Sequence, residues 1–278
     1  MVDLGLAMAP IGARIVMEFD ASRSFGGLDR LYGLSAANAI RSAHVVVVGI
    51  GGVGSWCAEA LARSGVGHIT LIDLDHVAES NINRQIHALS STVGQAKVLA
   101  MQERIALINP LCKVTCIEEF VSPDNWPALL GDGHLPDAVI DACDQVPAKL
   151  ALALWAKTYC VPFVCVGAAG GKRAAHKVDV DDLAQVTHDP LLAQLRYRLR
   201  KLHGAPREGK KMGVVCVFSR EAVAPPDASC ALEGDGSLNC HGYGSVVTVT
   251  ATFGLCAVSA ILNFLAEAFL NAKNKAII

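Results

Sequence analysis

The chain has no C-x-x-C pair. Its ten cysteines, at 57, 112, 116, 143, 160, 165, 216, 230, 240 and 256, stand singly, several inside apolar runs. That argues against a disulfide framework and favours reduced, mostly structural thiols in a cytoplasmic setting. The nearest approach to a zinc pair, Cys112 and Cys116, is C-x₃-C around an expected strand and makes a poor metal site. Charge is scarce too. Only 18% of residues are Asp, Glu, Lys or Arg, and the net charge is −2, so any affinity for nucleic acid must come from a local patch. The first residues offer no basic segment followed by a long apolar one, so no secretory signal is expected. Internal repeats and low-complexity tracts are also lacking. What the chain has in excess is apolar surface: 52% of residues and a mean hydropathy of +0.39 call for a deep core, a large interface or a membrane contact.

At 278 residues the chain suits one large α/β domain. Residues 1–22 read as an N-terminal arm, 23–270 as the domain and 271–278 as a tail. From 44 onward apolar strands alternate with helical patterns. HVVVV is followed by a helix at 53–64, HITLID by helical stretches through 109, then come KVTCI, DAVIDA, a helix at 147–159 and PFVCV. This is the rhythm of a doubly wound, mostly parallel, Rossmann-like sheet. The loop GAAGG at 167–171 closes a nucleotide-binding half of about 44–171, leaving a substrate and dimer half of about 172–270. In that second half, HKVDV (176–180) reads as a strand, 190–202 as a charged helix, 203–240 as a long loop and 242–270 as an apolar helix.

The four valines at 45–48 feed VVVVGIGGVG, with Gly49, Gly51 and Gly54 at G-x-G-x-x-G spacing and Gly52 between the last two. Gly49 permits the tight turn, Gly51 a close approach of backbone N–H groups to an anion, and Gly54 close packing of the helix. The helix would aim its positive end at phosphate. Asp73, nineteen residues past Gly54, ends the next strand and suits ribose hydroxyls. To this point a nicotinamide dinucleotide and ATP fit equally. A triphosphate whose pyrophosphate departs needs fixed cations. Arg84 and Lys97 supply them, with Asn81 on the same helical face as Arg84. Asp144 lies just past a later strand, where it could hold Mg²⁺ through one carboxylate and water.

GIGGVG, the D-x-D at 73–75, S-N-x-x-R-Q at 80–85, Lys97 and DACD at 141–144 together resemble the E1-like, ThiF-type superfamily of ATP-dependent adenylating enzymes. The resemblance spans 23 to about 270 and implies the superfamily's fold, with its C-terminal extension. It implies Asp73 on the ribose, Asp75 nearby, and Asn81, Arg84 and Lys97 around the phosphates. Asp144 would sit at the magnesium. It implies a homodimer in which an arginine of one subunit's N-terminal segment, best matched here by Arg30, reaches the other's ATP. A sodium or potassium ion and a sulfur-relay (cysteine desulfurase) partner are compatible with it.

Further stretches, among them FGGLDRLYG (25–33), NRQIHAL (83–89), NPLCKV (109–114), FVSPDN (120–125), THDPL (187–191) and VTATFG (249–254), are similar to the superfamily's tRNA-modifying branch. That branch activates the carboxylate of threonylcarbamoyladenosine 37 with ATP, and the activated carboxyl cyclises with loss of water. The superfamily's cysteine-using members direct attention to Cys230, which either relays an acyl group or is a loop thiol. A tRNA substrate suits RYRLRKLHGAPREGKK (196–211), where seven Lys or Arg face one Glu. Arg196, Arg198, Arg200, Lys201, Lys210 and Lys211 are the candidate tRNA contacts, with Tyr197 able to stack; a solvated helix face and a basic loop are the alternative. The other readings are adenylation of a ubiquitin-like or sulfur-carrier protein, a catalytically silent partner in a sulfur relay, and an NAD dehydrogenase. The missing paired cysteines count against the first of these, and Arg84, Lys97 and Asp144 together against the other two. The apolar segment at 242–270 is long enough to cross a bilayer, but its Ser, Thr and Asn content favours a buried helix.

Overall fold

The computed structural model describes residues 19–275 apart from 132, 208, 228 and 230–242. Cys230, Cys240 and most of the expected arm therefore lie outside the described residues. The described residues open with α1 (Ala21–Tyr32), capped by the Asp20 carboxylate, and α2 (Leu34–Ser42). The α/β succession follows: β1 (His44–Val48), α3 (Gly54–Arg63), β2 (His68–Ile72), α4 (Lys97–Ile108), β3 (Lys113–Ile117), β4 (Ala138–Asp141), α5 (Val146–Tyr159) and β5 (Phe163–Val166). Then come β6 (Val178–Asp182), α6 (Pro190–Leu202), β7 (Val215–Ser219) and α7 (Val247–Lys275).

The strands form one seven-stranded sheet in the order β3-β2-β1-β4-β5-β7-β6, parallel except for β6 against β7. The four valines of β1 explain its central place. Val45 and Val47 face a core built with α3, α4 and α7, whereas Val46 and Val48 face a second core built with α5 and α6. A strand buried on both faces reads as a continuous apolar run. The strand order reverses between β1 and β4, which opens a crevice at their C-terminal ends.

Two expectations from the second half are corrected. The stretch 203–240 is not a continuous loop: Val215–Ser219 forms β7, an interior strand with Cys216, Val217 and Phe218 fully buried. Its Gly, Lys and Pro neighbours concealed a short apolar run. The strand expected at 176–180 starts two residues later, because His176 and Lys177 close a 3₁₀ turn at Ala175–Lys177. Its acidic VDVDD sits at the sheet edge, where polar side chains are tolerated. Asp182 there accepts hydrogen bonds from the amides of Ala184, Met212 and Gly213.

Helix α7 is long and apolar enough to span a membrane, but it packs across the sheet against α2, α3 and strands β4 to β7. Val249, Phe253, Ala257, Ile261 and Leu265, spaced by four, form its buried stripe. Protein contacts account for much of its apolarity.

Candidate active site

The glycine loop leaves β1 at the crevice. Gly49 has a positive φ of 84°, and a Cβ there would press on the backbone of Ala142 and Cys143, just past β4. A Cβ on Gly54 would collide with the Gly49 carbonyl oxygen. A Cβ on Gly51 would meet only open space. The amides of Gly51, Gly52 and Val53 find no acceptor among the described residues. Three free donors beside the start of α3, over an open cradle, suit an anion.

Asp73 is placed differently from a simple ribose ligand. Its carboxylate accepts from Ile50 N at 2.6 Å and Asp75 N at 2.8 Å, so it buttresses the loop from below. Burial raises its pKa, with Lys97 and the two amides opposing. Each oxygen keeps a lone pair for a ribose hydroxyl.

Arg84 is brought onto the loop: its Cδ and Cγ lie 3.5 and 3.6 Å from where a Cβ on Gly52 would be. The Arg84 carbonyl is held by Trp56 Nε1 at 3.0 Å and Thr250 Oγ1 at 3.3 Å, so α3 and α7 jointly fix it. Its Nη1 donates to Ser80 O and Asn83 Oδ1, while Nε is buried without a partner. Ser55 Oγ, Gln85 Oε1 and both ring nitrogens of His87 are also orphaned, so five of the eight such buried atoms among the described residues cluster here. Native proteins rarely leave polar groups so, and a bound ligand or water is the usual remedy. Asn81 does not face outward with Arg84. It is buried and spends its Oδ1 on Ala78 N, closing the 3₁₀ turn Glu79–Asn81. Lys97, at the start of α4, is 6% exposed and pairs with Asp75 at 2.6 Å, which leaves two ammonium donors for phosphate.

Asp144 is exposed just past β4, on the edge that carries the glycine loop. A single carboxylate fits Mg²⁺ that completes its shell with phosphate oxygens and water. No group of three His, Cys, Asp or Glu that could hold a metal occurs among the described residues.

Sequence reasoning missed a fully buried ion pair beside this site, Asp141 with Lys149 at 3.1 Å. Lys149 Nζ also donates to the Val166 carbonyl at 2.7 Å, tying the end of β4 to the end of β5. The thiols of Cys143 and Cys165 donate to Asp141 at 3.0 and 3.3 Å. Burial is the largest single influence on Lys149 and acts to lower its pKa, but the charge and hydrogen bond of Asp141, together with the neighbouring thiols, hold the ammonium above its ordinary value. The same burial pushes both thiols well up, so they stay protonated. The signal was present in VPAKLALALW, where one charge interrupts an apolar helix.

The remaining predicted residues lie apart. Arg30 is exposed near the end of α1 and makes no hydrogen bond among the described residues. Arg196, Arg200, Lys201 and Arg207 line a groove of about 530 Å³ with Tyr197, over whose ring Lys201 Nζ lies at 5.4 Å. Arg196 spends Nη1 on the carbonyls of Leu183 and Val186, and Arg200 spends Nε on Pro206. Lys211 instead lines a separate cleft of about 580 Å³ with Lys157, Cys160 and Phe264, near the N-terminal ends of β5 and β7. Of the basic run, Arg196, Arg200, Lys201 and Arg207 thus share one hollow and Lys211 lies at the other, while Arg198 and Lys210 line neither.

The profile of the ThiF family matches residues 27–277. The tRNA threonylcarbamoyladenosine dehydratase of Escherichia coli is 48% identical over 254 residues, covering 88% of this chain and 94% of that protein. The enzyme of the same name from Haemophilus influenzae is 42% identical over 256 residues, covering 91% and 97%. The crystal structure of the E. coli tRNA N6-threonylcarbamoyladenosine dehydratase, TcdA, in complex with ATP matches with a TM-score of 0.79 and 46% identity, over 89% of this chain and 96% of that one.

Proposed function

The chain belongs to the ThiF family, and on that premise we propose that it is an ATP-dependent tRNA threonylcarbamoyladenosine dehydratase acting in the cytoplasm. The observation that carries this reading is the set of unsatisfied donors, from Gly51 to Val53 and at Arg84 Nε, around an open cradle at the strand-order reversal. Donors without acceptors await negative charge. The named relatives supply the substrate class.

In the reaction, a carboxylate oxygen of the threonylcarbamoyl group attacks the α-phosphorus of ATP, and the bond to pyrophosphate breaks. The loop amides, Arg84 and Lys97 take up the charge that develops on the departing pyrophosphate. Magnesium held by Asp144 would add charge neutralisation at the phosphates. A nitrogen of the same substituent then attacks the acyl carbon. AMP leaves with the carboxylate oxygen, so one water is lost overall and a hydantoin-type ring closes. That attack is intramolecular and has a high effective concentration. Cys230→Ser separates the two routes to closure: undiminished cyclisation assigns it to direct attack, and loss of cyclisation to an acyl relay. The functional unit is a homodimer, with Arg30 of the partner subunit reaching the nucleotide.

The deciding experiment supplies ATP with tRNA bearing threonylcarbamoyladenosine, and separately with tRNA lacking it. AMP, pyrophosphate and a dehydrated nucleoside are expected only with the first. ADP, hydride transfer, or AMP formed with a carrier protein but not with tRNA would overturn the reading.

A further inference from the structure

Behind the loop at 167–171 lies a second set of buried charges that the nucleotide chemistry does not use. Lys172 is 1% exposed, and its ammonium donates to the carbonyls of His188 at 2.9 Å and Glu221 at 2.7 Å. Asp189, 4% exposed, caps α6 by accepting from Leu192 N, and its other oxygen accepts from Ala168 N, each at 2.9 Å. A Cβ on Gly167 would collide with that carboxylate. The Glu221 carboxylate accepts from the amides of both Arg173 and Ala174. Removing an ammonium and a carboxylate from water is costly unless their partners are well placed. Here the partners come from three separate segments: the loop after β5, the N-terminus of α6 and the exit of β7.

These joints connect two regions with different tasks. The loop after β5 borders the β4 exit that carries Asp144, and Lys149 already binds those two strand ends together. Helix α6 carries the basic groove around Tyr197. Asp189 bonds to both, through Ala168 on one side and the first turn of α6 on the other.

We propose that Lys172 and Asp189 are positioning residues for the tRNA-dependent step, locking the basic helix α6 to the loop beside the nucleotide so that a tRNA held by the helix presents its modified base at the adenylation site. This rests on the tRNA reading above. The buried charges set the distance between grip and chemistry, and touch neither ATP nor the reacting atoms.

The test uses Lys172→Met and Lys172→Gln in the full chain, with three readouts. These are affinity for a non-hydrolysable ATP analogue, kcat and KM for tRNA-dependent AMP formation, and amide hydrogen exchange. Both variants should bind the analogue within about twofold of the parent, while kcat with tRNA falls about ten- to a hundredfold, as for a slightly misplaced reactant. Gln should lose less than Met, because its amide can still donate to one carbonyl. Exchange should quicken at 168–174 and 221–224 and stay unchanged at 49–54. Turnover that Lys172→Met leaves intact, or ATP affinity that falls in step with turnover, would overturn the proposal. If Lys172→Met does not fold, Asp189→Asn carries the same test, its amide oxygen able to keep only one of the two carboxylate contacts: lower kcat at constant ATP affinity supports the lock, and unchanged kcat overturns it. A parent protein inactive on modified tRNA defeats the functional reading instead; exchange then decides the lock alone, and identical exchange in parent and Lys172→Gln overturns it.

Discussion

Gly51 and Gly54 stand three positions apart in one loop and are glycine for opposite reasons. A methyl group on Gly51 enters open space, and one on Gly54 collides with the Gly49 carbonyl. Gly51→Ala should therefore leave the free energy of unfolding within about 0.5 kcal/mol of the parent. Its ATP affinity should nevertheless fall about tenfold or more, the cost of crowding hydrogen bonds to a charged group. Gly54→Ala should instead lose about 2 kcal/mol or more of stability, read by urea unfolding. Burial, then Lys97 and Arg104, lowers the His87 pKa to about 4. The unfolded chain titrates this group near about 6.5, so between those values the unfolded state binds more protons. Stability should fall as pH drops through that window and be indifferent to His87 above it, with a span of roughly 3 kcal/mol. His87→Leu should flatten the slope in part, because His44, also lowered to about 4, and His68, lowered by burial as well, contribute in the same direction. Residue types were legible in the sequence, and their partners were not. The carboxylate of Asp73 at the end of β2 is legible, but nothing in the spacing reveals that each of its oxygens also accepts from a backbone amide while keeping a lone pair free. For Asn81, likewise, no spacing shows that its Oδ1 accepts from the Ala78 amide and closes a turn.

Among the elements, α6 and α7 separate what pattern reveals from what packing decides. Helix α6 spans Pro190–Leu202, the same stretch that reads as a charged helix in the sequence. The use of its arginines was hidden, because Arg196 and Arg200 cap backbone carbonyls rather than stand free. Charge reversal at Arg198, Lys201, Lys210 and Lys211 therefore spares those two. It should weaken tRNA binding and flatten its salt dependence while ATP affinity holds. Equal tRNA affinity at low salt in parent and variant would refute this. For α7, length and apolarity admit lipid or protein as its surroundings, and the Ser, Thr and Asn content favours protein. Phe253, fully buried on the sheet-facing stripe, decides the energetics. Phe253→Ala should cost about 3–5 kcal/mol in chemical denaturation. A helix held mainly by lipid would show no such loss. Strand β7 escaped notice because five residues between two loops carry too little periodicity to outweigh their flanks.

At the scale of the whole molecule, the parallel α/β class was legible from its rhythm, whereas the strand order was not. Rhythm says that strands alternate with helices; only packing places β7 between β5 and β6. The same limit applies to assembly, since Arg30 lies exposed near the end of α1 with no task in its own chain among the described residues. If it serves a neighbour's nucleotide, Arg30→Ala and Arg84→Ala should each be inactive, and subunits exchanged between them should regain activity. One site in each mixed dimer then has both arginines. Failure of the mixture to recover, with exchange verified by mass, would remove Arg30 from the site.

Helix α7 has a consequence in time as well as in space. It covers the face of strands β4 to β7 and helps hold Arg84 through Thr250, yet it follows all seven strands of the described sheet. A ribosome therefore delivers the sheet first and its cover afterwards, and domains tend to fold as they emerge. Until α7 arrives, the part of that face formed by β4 to β7 lacks its covering helix, while α3 and α4 lie over the rest. The phosphate crevice is unfinished for the same interval, so the enzyme gains its nucleotide pocket only as the last helix docks.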